Sequence, residues 1–87
     1  MGLFGGKPQA TSCFFCSVDV EKSGLMAHYS IHLIEVVDNN GRQAYTFTCP
    51  RCGTMDQAWG GGRPNPLSNA TSAVAVHLMD RHSIPLP

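Results

Sequence analysis

From Leu33 to Val37 the chain is rich in branched apolar residues, and from Gln43 to Thr48 it alternates through Ala44, Tyr45, Thr46 and Phe47. Between the two runs stands Asp38-Asn39-Asn40-Gly41, whose Asx and Gly residues accept the left-handed backbone of a tight turn. Two β-rich runs across such a turn predict a hairpin over residues 33–48. The second strand runs directly into Cys49-Pro50-Arg51-Cys52-Gly53, which places a cysteine pair on the turn that ends it. Farther on the period changes. In TSAVAVHLMDRH, Val74, His77, Leu78 and Arg81 recur at the spacing of one helix face, with Ser68 or Asn69 as N-cap, a start near Ala70, and Pro85 as the stop. Gly60 to Pro66 is a glycine- and proline-rich loop. Residues 1–11 carry only Leu3 and Phe4 as large apolar side chains and read as a flexible arm. The stretch HYSIHLIEVV supports two readings. Its β-branched and aromatic content suits a strand, whereas His28 and His32 at i and i+4 suit one face of a helix.

Size sharpens this picture. A chain of 87 residues buries too little apolar surface to be comfortably stable without a staple, and its four cysteines and four histidines make disulfides or metal the candidates. No apolar h-region precedes the first cysteine, so an intracellular, reducing compartment is expected, cytoplasmic or nuclear, which disfavours disulfides. No apolar run reaches membrane-spanning length. Gly6 stands where a myristoylation signal needs Ser or Thr, and the Asn69-Ala70-Thr71 sequon is read as chance.

Six Lys and Arg balance six Asp and Glu. That excludes a strongly basic nucleic-acid binder on composition, though Arg42, Arg51, Arg63 and Arg81 can still gather locally.

The cysteine spacing selects metal over disulfides. Cys13 with Cys16, and Cys49 with Cys52, are both C-x-x-C, which lets one turn aim two sulfurs at one tetrahedral ion. Each pair is followed by a histidine pair, His28 with His32 and His77 with His82, so every Cys and every His is used. Thiolate and imidazole at this spacing favour Zn2+.

This ligand pattern resembles the Cys2His2 zinc-finger family. Val20, Leu25, Phe47 and Val74 stand where that family keeps core apolar residues, and SNATSAVAVHLMDRH is similar to the last helix of BED-type fingers. The resemblance implies a small zinc-stabilised α+β fold with a β-hairpin, zinc knuckles, a C-terminal helix and two Cys2His2-type sites. It implies a zinc-binding domain over residues 12–87, with unit one at about 12–32 and unit two at about 47–83. The first spacer is one residue short, the second is about twice the usual length, and Thr11 replaces an expected aromatic. An alternative is a zinc ribbon, which CPRCG also resembles. There Cys13, Cys16, Cys49 and Cys52 hold a single ion, and the histidines are free.

A site closed by four protein ligands leaves no coordination position for substrate, so no enzymatic activity is expected. Tyr29 stands where a metalloprotease would need its base Glu, and neither Ala27 nor Ile31 supplies the residue a His-Asn-His nuclease has before its histidine. The family implies nucleic-acid association, as in a small regulator. The residues at its reading positions, Glu21, Ser23, Gly24 and Ala27, then Ala70, Ser72, Ala73 and Val76, offer little to base edges. The alternative is a protein-interaction or self-assembly module, with Phe14, Phe15 or Trp59 as contacts. At least one of the two phenylalanines is expected to point outward, and Trp59 to plug the small core.

Overall fold

The computed structural model describes residues 10–86. Three antiparallel strand pairs and two helices follow one another along the chain. β1 (Ala10–Ser12) and β2 (Asp19–Glu21) flank the first cysteine pair. A 3-10 turn, Lys22–Gly24, leads into α1 (Leu25–Ser30). β3 (Ile34–Val37) and β4 (Gln43–Thr46) form the hairpin, β5 (Thr48–Cys49) and β6 (Gly53–Thr54) flank the second cysteine pair, and α2 spans Pro66–His82. Residues 1–9 of the expected arm lie outside the described residues, while Ala10 and Thr11 belong to β1.

The hairpin forms as its pattern predicts, in the register Ile34↔Thr46 and Val37↔Gln43. Its turn is closed from within. The Asp38 carboxylate accepts hydrogen bonds from the backbone N–H groups of Asn40 and Arg42, each at 2.9 Å, and Gly41 takes φ +78°. The free edge of β4 is partly covered by a bridge in which Tyr45 and Trp59 exchange two backbone hydrogen bonds of 2.8 and 2.9 Å.

HYSIHLIEVV divides between the two readings. It is helical to Ser30 and extended from Ile34. Leu25 and Tyr29, four apart on α1, are both buried, and α1 packs against α2. Burial of that face outweighs the β propensity of Tyr29 and Ile31.

α2 begins four residues earlier than expected. Its cap is Asn65 rather than Ser68 or Asn69: the Asn65 side chain accepts from the Ser68 N–H at 3.2 Å, and Pro66 opens the helix, where a missing N–H costs nothing. Its buried stripe is Ala70, Thr71, Val74, Ala75 and Leu78. The helix stops at Ser83, a left-handed residue with φ +57°, and the N–H groups of Ser83 and Ile84 both reach the Leu78 carbonyl.

The core gathers Leu25 and Tyr29 of α1, Val74 and Leu78 of α2, and Phe47, which turns inward between β4 and β5. Cys13 and Cys49 complete it at 1% exposure each, so two of its largest fully buried side chains are thiols. The apolar core and the ligand sets are therefore one structure.

Two candidate metal centres

Each cysteine pair sits on a short turn between paired strands, and each turn has a left-handed residue directly after its second cysteine: Ser17 at φ +61° and Gly53 at φ +88°. In the first turn the Cys13 N–H donates to Val18 O at 2.9 Å, the Ser17 N–H to Cys13 O at 2.8 Å, and the Phe15 N–H points to Cys13 Sγ at 3.4 Å. One sulfur of each pair faces inward and the other faces solvent. Cys13 and Cys49 are buried, Cys16 and Cys52 exposed.

The histidines come from the helices. His28 lies in α1 and His32 in the turn that follows, where the Ile31 and His32 N–H groups reach back to the carbonyls of His28 and Tyr29. His77 lies within α2 and His82 is its last residue. All eight expected ligands are brought together in two groups: Cys13, Cys16, His28 and His32, then Cys49, Cys52, His77 and His82. Within each group the four donor atoms lie within 4.8 Å of one another. Among the described residues the four cysteines do not converge on one point, so the four-cysteine arrangement of a ribbon does not form. Each sulfur pair faces its own imidazoles instead.

Donor distances test whether an ion fits. A tetrahedron with metal–sulfur bonds of about 2.3 Å and metal–nitrogen bonds of about 2.0 Å has sulfur–nitrogen edges of about 3.5 Å. Sγ of Cys13 lies 3.5 Å from His32 Nε2, Cys16 3.3 Å from His28, Cys49 3.2 Å from His82 and Cys52 3.5 Å from His82. A further sign is His77 Nε2, a buried nitrogen with no hydrogen-bond partner. Buried polar atoms are nearly always satisfied, and a metal ion would satisfy this one. Each group can thus hold one metal ion.

Without an ion, burial favours the neutral form of thiols and imidazoles alike, which suits the imidazoles as ligands and opposes the thiolates. Burial raises the Cys13 thiol above its ordinary value. Cys52 is also raised, by desolvation and the adjacent Cys49 thiol, against the pull of Arg81. Burial lowers His32 and His77, with His28 and His82 respectively adding to it, so both imidazoles are held neutral and ready to coordinate. A dication beside the sulfurs reverses the thiol preference outright.

Aromatic rings join the two groups. Phe15 stacks on His32, with centroids 5.1 Å apart, and meets Tyr29 and Phe47 edge-on. Phe14 stacks on His82 of the other group at 4.7 Å and 29° between planes. Neither phenylalanine points outward as expected; both are half-buried against the core, because each finds an imidazole face. Trp59 is also half-buried and stacks on Phe47 at 5.4 Å, lining the core rather than plugging it.

The four arginines are exposed. Arg51 stands over Phe14, and Arg81 lies close enough to influence Cys52. Arg42 is directed to the other end of the hairpin, against Gly62. No helix among the described residues is long and apolar enough to cross a membrane. No family model, curated protein or solved structure matches the chain, so the likeness to Cys2His2 fingers rests on the ligand pattern and its geometry.

Proposed function

We propose that this chain is a non-enzymatic binding module whose fold is held by two zinc ions, and that its partner is another protein. The observation that carries the scaffold is the convergence of all four cysteines and all four histidines into two Cys2His2 groups. Zinc suits two thiolates and two imidazoles in a tetrahedron, and four protein ligands leave it no open position for chemistry. Native mass spectrometry tests this directly. Two ions are expected on the wild-type chain and one on the His77→Ala, His82→Ala variant, whereas one ion unaffected by the change would overturn the two-site scaffold.

The exposed face of α2 favours a protein partner. It presents Val76 and Met79, each at least 40% exposed, and Ala70, one of the expected base-reading positions, is buried. Exposed apolar side chains on a chain without net charge suit a protein contact better than phosphates. Nucleic-acid association is the second reading, supported by Arg51 and Arg81 beside the second centre. Zinc-loaded protein titrated into a mixed-sequence DNA duplex at low salt is expected to give no saturable binding. A strongly salt-dependent isotherm would make nucleic acid the partner.

A further inference from the structure

We infer that Phe14 is a positioning residue for the second metal centre although it belongs to the first, so that loading one centre strengthens the other; this rests on the two-zinc reading. Phe14 and Phe15 occupy the two positions between Cys13 and Cys16, and their rings diverge. Phe15 covers His32 of its own centre, while Phe14 lies on His82 of the other. The two rings meet edge-on, with centroids 6.0 Å apart. The Arg51 guanidinium, 5.8 Å from the Phe14 centroid, ties the same ring to the second cysteine turn.

His82 needs such support. It ends α2, beside the left-handed Ser83, where a helix frays most easily. Its Nε2 must face two sulfurs at once, Cys49 at 3.2 Å and Cys52 at 3.5 Å. A metal-bound imidazole is normally held in orientation by a hydrogen bond from its other nitrogen. Among the described residues no group accepts one from His82 Nδ1, and the Phe14 stack performs that orientation instead.

The consequence is energetic coupling. An ion on Cys13 and Cys16 fixes both ends of the dipeptide that carries Phe14, and with them the ring on which His82 rests. By linkage, an ion on His82 must favour the first centre by the same factor. Cys2His2 units that share no side-chain packing would load independently; these two share an aromatic contact at the ligands themselves.

The test is Co2+ titration of the full chain against a competing chelator. The two constants are assigned with the His28→Ala, His32→Ala and the His77→Ala, His82→Ala variants. Phe14→Leu is expected to lower the constant of the second centre about three- to tenfold, the size of one aromatic pair. With the second centre disabled by His77→Ala, His82→Ala it should change the first centre less than about twofold. Phe14→Tyr, which keeps the ring, is expected to restore both the constant and the visible Co2+ spectrum of the second centre. Phe14→Met serves the same purpose as Phe14→Leu if the latter folds poorly. The His28→Ala, His32→Ala chain should show a weakened second centre even with Phe14 present. A comparable loss at the first centre in Phe14→Leu with the second centre already disabled would reduce Phe14 to general packing and overturn the inference. A second centre indifferent to loss of the first would overturn it as well. Uptake of one ion by the wild type would instead sink the two-zinc reading itself, and the coupling with it.

Discussion

Gly60 has no room for a side chain. A Cβ there would stand 2.5 Å from the Pro66 carbonyl oxygen and 2.7 Å from its Cα, both backbone atoms that cannot swing away, and its φ is +93°. Gly41 has a similar φ of +78° but open space around it. Gly41→Ala is therefore expected to cost about 1 kcal/mol from backbone strain alone, and Gly60→Ala more than about 2 kcal/mol, because the start of α2 must shift. Urea unfolding of the zinc-loaded chain measures both. Equal costs would show that the approach to Pro66 relaxes freely. A glycine-rich loop is legible in the sequence; which glycine is sterically obligatory depends on how closely α2 returns to it.

At the scale of the element, α2 carries both a ligand pair and much of the core. Asn65→Ala removes the cap of its first turn and is expected to lower stability by about 1 kcal/mol. Leu78, 1% exposed between the two histidines, is expected to cost about 2–4 kcal/mol as Leu78→Ala, whereas Val76→Ala on the open face should be nearly neutral. Thermal melts of the three variants rank them, and a Val76 cost comparable with that of Leu78 would mean the outer face is covered in solution. The 3.6-residue spacing of Val74, Leu78 and Arg81 marks this helix, which starts four residues before the expected Ala70. Asn65-Pro66 is a cap followed by a first-turn proline, and that signal was present; its position at the end of the proline-rich loop disguised it. α1 was harder to read, because six residues with mixed propensity become a helix only through the packing of Leu25 and Tyr29 on α2.

For the whole molecule, two of the largest buried side chains belong to the candidate metal-binding groups, so removing a metal held there would dismantle the core rather than a peripheral clip. Chelation is expected to abolish the cooperative melt and most of the far-UV signal, and a surviving melt would show that the apolar contacts suffice. Acid should act in the same direction. Burial lowers His32 and His77, so the folded chain binds fewer protons there than the unfolded chain does. Their contribution is complete above the ordinary imidazole value of about 6.5 and is lost as pH falls below it. Protonation of the coordinating thiolates adds to the loss. A metal indicator should therefore record release as the pH is lowered from neutrality, and retention of both ions well below the imidazole range would contradict the ligand assignment.

The sequence by itself determined the ligand inventory, the hairpin and the last helix. C-x-x-C turns, an Asx-Gly turn and a 3.6-residue period are local signals, readable wherever they occur. It left open which sulfurs share an ion with which imidazoles, because that depends on contacts between segments distant along the chain. Tertiary structure decided this by packing α1 on α2 and turning Cys13 and Cys49 inward, which gives each cysteine pair its own histidines. It also decided that Phe14 and Phe15 serve opposite centres. Adjacent residues carry no mark of which way their rings will turn, and only the positions of His32 and His82 in space give each ring its partner.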